Sequence, residues 1–100
     1  MRQILDLKEL SFLVYGLGIS GVSAVKFFKK NKIKNFKVWD DSYKKLYQKH
    51  RAKNLNQVMK QVDYIVLSPG ISLLKNKNLV KFKKKIITDI DLFLDRKSVV

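Results

Sequence analysis

The 100-residue sequence contains no cysteine, one proline and four glycines. The absence of cysteine excludes disulfide bonds and thiolate metal ligands. A membrane-spanning helix needs about 20 apolar residues, whereas the longest apolar run, residues 12–19, is short and contains two glycines. Asp6, Lys8 and Glu9 interrupt the region where the apolar core of a secretory signal would lie. The lack of cysteine leaves the compartment open, and we expect a cytoplasmic protein that is not inserted in a membrane.

Acidic residues are also scarce, because eight Asp and Glu oppose 22 Lys and Arg and leave a formal net charge of +14. Such a charge suits a basic nucleic-acid-binding module, since bound cations release counterions from phosphates. However, nineteen of the cations are Lys spread along the whole chain, whereas base and phosphate readers favour the planar fork of Arg. We therefore interpret the lysines as solvated surface and retain nucleic-acid binding as the weaker alternative.

Apolar periodicity predicts strands that alternate with helices. The predicted strands cover residues 12–15, 36–40, 64–67 and 85–88, with a further strand starting at 98–100. The predicted helices cover 20–30, 43–50, a short segment around 58–59, 79–82, and a last one opened by the capping box Thr88-x-x-Asp91. This order predicts an α/β fold: a Rossmann-like, doubly wound, mostly parallel sheet of about five strands with flanking helices.

A glycine-rich motif, Gly-x-Gly-x-x-Gly at residues 16–21, follows the first strand and opens the first helix. We expect Gly16 to permit the tight turn, Gly18 to let the backbone approach a phosphate, and Gly21 to let the helix pack closely on the strand. The N–H groups of Ile19, Ser20 and Gly21 then point at an anion, at the positive end of the helix dipole. A purely structural glycine turn is the alternative.

Further candidate ligand contacts follow the second and third strands. Asp40 ends the second strand nineteen residues after Gly21. At this spacing dinucleotide-binding folds place an acid that accepts hydrogen bonds from a ribose. Because a carboxylate can only accept, Asp40 favours a hydroxyl or an imide N–H. The alternative is that it caps the following helix. Ser68, Pro69 and Gly70 end the third strand at the same edge of the sheet and are expected to contact the ligand.

Together these motifs resemble the amino-terminal domain of the Mur ligases. The glycine-rich motif is shared with many folds, but its combination with Ser68-Pro69-Gly70-Ile71 and Asp89-Ile90-Asp91-Leu92-Phe93 is much more specific. The resemblance covers about residues 9–100 and is greatest to the members that add D-glutamate to UDP-N-acetylmuramoyl-L-alanine in peptidoglycan precursor synthesis. It implies a UDP-binding domain over residues 1–97 and the start of a truncated central ATP-binding domain at 98–100.

The resemblance also implies a set of UDP-binding residues: Gly18, Ile19, Ser20, Gly21, Asp40, Ser68, Pro69 and Gly70. By this correspondence, the diphosphate would lie against Ile19 and Ser20, the uracil against Asp40, and residues 68–70 would line the uridine pocket. Asp89 and Asp91 would lie on the link into the central domain. One departure concerns Asp41 and Ser42, where family members often have a hydroxyl residue and then a basic one. The additional carboxylate argues against a 2′-phosphate, and so against NADP.

The implied reaction is ATP-dependent amide formation, and the full-length enzyme would use ATP and Mg²⁺. These residues contain no Gly-x-x-x-x-Gly-Lys-Ser/Thr loop for the phosphates. We therefore expect the chain alone to bind no cofactor, to hold no catalytic residue or metal, and to be inactive without the central and C-terminal domains. His50, the single histidine, has no partners at metal-ligand spacing. An NAD-binding domain of an oxidoreductase is the other alternative, since Asp40 is compatible with it.

Overall fold

The computed structural model describes residues 9–43, 45–68, 71 and 77–88. In chain order the strands and helices are β1 (Phe12–Tyr15), α1 (Ile19–Lys30), β2 (Phe36–Trp39), α2 (Leu55–Gln61), β3 (Tyr64–Leu67), α3 (Lys77–Val80) and β4 (Ile86–Ile87). Short 3₁₀ turns cover Gln48–His50 and Lys83–Lys85. The helix predicted from Thr88 and the strand predicted at 98–100 lie outside the described residues, so the domain boundary at residue 97 stays a prediction.

The strands form a sheet in the order β2-β1-β3-β4, with every pair parallel. Phe12 is aligned with both Phe36 and Tyr64, so the first three strands end level with one another. The predicted α/β, Rossmann-like arrangement is confirmed, with four strands in the described part of the chain rather than about five. The chain leaves β1 toward β2 and later returns to β3 on its other side, so the switch point where such sheets bind ligands lies beyond the carboxyl ends of β1 and β3.

β1 is the centre of the core because both of its faces are covered. Phe12, Leu13 and Val14 are fully buried, as expected of a strand between two layers of a parallel sheet. Alternate side chains point to opposite faces. One core contains Phe12, Val14, Ala24, Val25, Phe28, Ile33, Phe36 and Val38, on the side of α1. The other contains Leu13, Tyr15, Met59, Ile65, Leu67 and Leu79, on the side of α2 and α3.

The helix predicted over residues 43–50 is wrong. Tyr47 has a left-handed backbone with φ of 52°, and only the 3₁₀ turn Gln48–His50 follows it. The apolar spacing that suggested a helix reflects packing instead, because the His50 ring stacks on Phe36 with 4.3 Å between ring centroids. After this turn Arg51 forms a parallel bridge with Val38.

The remaining helices and strands are close to their predicted positions. The short helix expected around residues 58–59 extends over Leu55–Gln61, where the Asn54 side chain accepts a hydrogen bond from the N–H of Gln57. The helix predicted at 79–82 is found at Lys77–Val80, and the last strand is reduced to Ile86–Ile87. None of the helices in the described residues is long and apolar enough to cross a bilayer.

Candidate functional site

The turn after β1 depends on two glycines whose steric roles match the prediction. Gly16 has φ of +98°, and a Cβ there would lie 2.6 Å from Ile71 Cδ1 and 2.9 Å from Ser68 Oγ. A Cβ on Gly21 would overlap the carbonyl oxygen of Gly16. Glycine at these positions therefore lets α1 begin directly against the end of β1.

The first turn of α1 faces open space. A Cβ on Gly18 would meet no atom within 4 Å, and the Ile19 side chain is 91% exposed. The first bond of the helix joins the N–H of Val22 to the carbonyl of Gly18, and no side chain caps the helix start. Within the described residues, the N–H groups of Ile19, Ser20 and Gly21 therefore have no partner. Three donors at the positive end of a helix dipole can bind an anion.

The Asp40 carboxylate connects this turn to the loop after β2. The backbone N–H of Leu17 donates to Oδ2 at 2.6 Å, while the N–H groups of Ser42 and Tyr43 donate to Oδ1 at 2.7 and 3.0 Å. Each carboxylate oxygen accepts about two hydrogen bonds, so Oδ1 is filled and Oδ2 can accept one more. The predicted role as a helix cap is wrong, because a loop and not a helix follows Asp40 in the described residues; Oδ1 instead holds that loop, and Oδ2 has room for a ligand hydrogen.

The same contacts keep Asp40 ionised. Burial acts to raise the pKa of Asp40, but the N–H donors from Leu17, Tyr43 and Ser42 and the charge of Arg51 outweigh it, so the pKa lies below its usual value. A charged carboxylate accepts hydrogen bonds more strongly than a neutral one. Asp40 is therefore a fixed negative group at the carboxyl edge of the sheet.

A second carboxylate and an arginine lie beside Asp40. Trp39 Nε1 donates to Asp41 Oδ1 at 3.1 Å. Arg51 Nη1 donates to the Asp40 carbonyl oxygen at 3.1 Å, and its guanidinium carbon lies 4.3 Å from the centre of the Trp39 ring. Burial and the charges of Asp41 and Asp40 raise the pKa of Tyr15, at the end of β1. Tyr15 and both carboxylates therefore converge at this edge.

Sequence reasoning missed Arg51 because it is remote from every motif. It lies 11 residues after Asp40 and in a segment with little periodicity. The loop after β2 has no basic residue at 41 or 42, and Arg51 brings a cation to that loop from a later segment that runs parallel to β2. The charge of Arg51 alone could not have identified it among 22 Lys and Arg.

Ser68 joins the end of β3 to the glycine turn. Its hydroxyl donates to the carbonyl oxygen of Gly16 at 3.2 Å, and its N–H donates to the carbonyl of Tyr15 at 3.3 Å. The glycine turn, Asp40 and Ser68 therefore meet at one edge, as the sequence predicted. Pro69 and Gly70, the other predicted contacts after β3, lie outside the described residues.

The opposite edge of the sheet has a cleft of about 220 Å³. Ser11, Phe12 and Phe36 line it at the starts of β1 and β2, with His50 and Lys37 beside them. Burial and the charges of Lys29 and Lys37 lower the pKa of His50. Among the residues described, no group of three or more His, Cys, Asp or Glu could hold a metal ion.

The parallel sheet, the glycine turn and the acid after β2 define a Rossmann-like α/β domain. A family model described as "Mur ligase MurD-like, N-terminal domain" matches residues 10–90. The chain belongs to this family, and the resemblance noted from its motifs is confirmed.

A UDP-N-acetylmuramoylalanine--D-glutamate ligase from Buchnera aphidicola subsp. Schizaphis graminum (strain Sg) is 35% identical to the chain over 92 residues. The match covers 81% of this chain and 20% of that ligase. The chain therefore spans about a fifth of the length of this relative.

Proposed function

We propose that this chain is the UDP-binding domain of an ATP-dependent ligase that adds D-glutamate to UDP-N-acetylmuramoyl-L-alanine. The family assignment and the name of the relative both support this function. The observation that carries the proposal is the open first turn of α1, where the N–H groups of Ile19, Ser20 and Gly21 lack partners among the described residues and Gly18 leaves space in front of them.

In this proposal the diphosphate lies against those three N–H groups. Gly18 lets the backbone approach the phosphates, and the hydroxyl of Ser20 adds a donor. The net charge of +14 assists binding by attracting an anionic ligand over longer distances. Binding through backbone amides requires only that the turn keep its shape, which Gly16 and Gly21 ensure.

The uridine then extends toward the ends of β2 and β3. Asp40 Oδ2, which already holds the N–H of Leu17, accepts from the imide N–H of uracil with its remaining lone pair. Ser68 Oγ can still accept a hydrogen bond while it donates to Gly16. Pro69 and Gly70, which lie outside the described residues, stay predicted contacts of the uridine.

The bond-forming chemistry belongs to other parts of the proposed enzyme. ATP and Mg²⁺ would activate the substrate carboxylate by phosphoryl transfer, but the sequence has no phosphate loop for ATP. The described residues also lack a metal-binding group. We propose that central and C-terminal domains supply those steps in the cytoplasm. The chain alone is expected to show no ligase activity.

Titration of the chain with UDP, NAD and duplex DNA, each at two salt concentrations, tests the proposal. We expect UDP to bind, NAD to fail to displace it, and the amide NMR signals of Ile19, Ser20 and Gly21 to shift. Gly18→Val should abolish UDP binding in a folded chain, because its side chain fills the space before the amides. Ile19→Val is the matched control, because it trims an exposed side chain and leaves the amides unchanged.

The alternatives predict different results. If NAD binds and UDP does not, the chain is a dinucleotide-binding domain of another class. If only DNA binds, with an affinity that falls steeply with salt, the basic surface is the functional one. Equal UDP binding by Gly18→Val and the wild-type chain would refute the proposed position of the diphosphate.

A further inference from the structure

The edge that would hold the nucleotide has an unfavourable charge distribution. Asp40 and Asp41 place two carboxylates next to the end of β1, and a nucleoside diphosphate is itself an anion. The charges of both carboxylates help to raise the pKa of Tyr15 at the end of β1. Like charges at close range disfavour binding, so an anionic ligand here needs a cation that offsets them.

Arg51 is held in place to supply that cation. The bridge between Arg51 and Val38, with the N–H of Ala52 donating to the Val38 carbonyl at 3.0 Å, fixes its backbone along the outer edge of β2. Its guanidinium stacks on Trp39 and donates through Nη1 to the Asp40 carbonyl. Within the described part of the chain this is the only acceptor of its guanidinium N–H groups, so the other guanidinium donors are available to a ligand.

We propose that Arg51, held on the Asp40 carbonyl, determines base specificity at this site by presenting N–H donors to the 4-carbonyl oxygen of the bound base. This inference rests on the proposed function and identifies the group that would distinguish uracil from cytosine. Uracil has a carbonyl oxygen at position 4 next to its imide N–H, so it pairs with a donor for that oxygen and an acceptor for that N–H. Cytosine has an amino group and an unprotonated ring nitrogen at those positions, so both would face a group of the wrong polarity.

A donor-only residue is suited to this role. Arginine cannot accept a hydrogen bond, and stacking on Trp39 keeps its planar fork from rotating to avoid the amino group of cytosine. A site that leaves buried polar groups unpaired rejects the wrong ligand more strongly than one that merely lacks a favourable contact. The positive charge also offsets Asp40 and Asp41, so the same side chain supports affinity and specificity.

Trp39 is the single tryptophan of the chain, so its fluorescence can report binding next to Arg51. The experiment compares UDP and CDP affinities of the wild-type chain with those of Arg51→Gln, Arg51→Lys and Lys53→Gln. Lys53 is an exposed cation two residues away, and Lys53→Gln is the control for lost charge alone. Calorimetry provides a second measurement that does not depend on the Trp39 signal.

The wild-type chain is expected to prefer UDP over CDP. Arg51→Gln should weaken UDP binding about tenfold, the loss typical of one hydrogen bond from a charged donor, and should remove most of that preference. Arg51→Lys keeps the charge but not the planar fork, so it should retain most of the affinity and lose preference. Lys53→Gln should change both affinities by less than about twofold, because exposed charges interact weakly.

A second variant tests the offset of charge separately. Asp41→Asn keeps the Oδ1 acceptor for Trp39 and removes one negative charge, so in the Arg51→Gln background it should recover part of the UDP affinity but none of the preference. Circular dichroism and melting confirm that each variant is folded, and Arg51→Lys carries the test if Arg51→Gln does not fold.

The outcomes separate this inference from the proposed function. If the wild-type chain binds UDP and both Arg51 variants keep its preference over CDP, the role of Arg51 is wrong and the UDP site stands. If the Arg51 variants lose UDP and CDP affinity equally, the proposed role of Arg51 in base specificity is likewise wrong. If the wild-type chain binds neither nucleotide, the proposed function fails, and the inference about Arg51 fails with it.

Discussion

Replacement of Asp40 by alanine should destabilise the fold as well as weaken UDP binding. The carboxylate accepts from the N–H groups of Leu17, Ser42 and Tyr43, so one side chain connects the turn after β1 to the loop after β2. Ser42 and Tyr43 are exposed, and their N–H groups can turn to water in the variant. Leu17 is only 2% exposed, so its N–H would lose a partner that water cannot readily replace.

The magnitude follows from that one buried donor. An unsatisfied buried N–H costs about 1–3 kcal/mol, and we expect Asp40→Ala to lower the free energy of unfolding by about 2 kcal/mol. For a domain of about this size each kcal/mol shifts the melting temperature by about 4–8 °C. Thermal and urea unfolding followed by circular dichroism should therefore show a drop in melting temperature of about 10 °C.

The effect should depend on pH. The pKa of Asp40 is lowered in the folded chain, so its stabilising contribution is complete above the unfolded value of about 3.9. The contribution is lost as the pH falls through the lower, folded value, when the carboxylate takes up a proton. The difference in unfolding free energy between wild type and Asp40→Ala should therefore be largest near neutral pH and shrink below about pH 4.

Asp41→Ala is the matched control. Its carboxylate is exposed and accepts a hydrogen bond from Trp39 Nε1. The free energy of unfolding should therefore change by less than about 0.5 kcal/mol. Equal unfolding midpoints for the Asp40 and Asp41 variants at neutral pH would refute the argument. A difference that does not shrink in acid would show that another group causes it.

Three further predictions concern the glycine turn and a helix cap. Gly21→Ala should lower stability by more than about 2 kcal/mol in urea unfolding, because its Cβ overlaps the Gly16 carbonyl oxygen; an unchanged midpoint would contradict the close packing. Gly18→Ala, where the added Cβ meets open space, should raise stability by about 0.4–1 kcal/mol while weakening UDP binding by calorimetry. Asn54→Ala should cost about 1 kcal/mol in thermal unfolding, because the N–H of Gln57 loses its cap; a smaller loss than Asn56→Ala would be inconsistent with capping.

Much of the fold was predictable because two periodicities are unambiguous in this chain. The apolar runs that became β1 and β3 are too short for helices and end at turn residues, and the spacing of Ala24, Val25 and Phe28 has the period of a helix. The segment around Tyr47 could not be assigned this way. Its side chains pack on Phe36 and Lys29 from a non-helical backbone. The spacing of apolar residues does not distinguish such a segment from an amphipathic helix.

The sequence by itself determined that the glycine turn, Asp40 and Ser68 would meet, because parallel strands bring the residues that follow them to one edge of the sheet. It also determined the positions where only glycine is accommodated. Only the tertiary structure decided which Asp40 oxygen has a free lone pair, since that depends on where the N–H of Leu17 lies. It alone brought Arg51 to the same edge, because a bridge to Val38 is a contact between distant parts of the chain that local patterns do not encode.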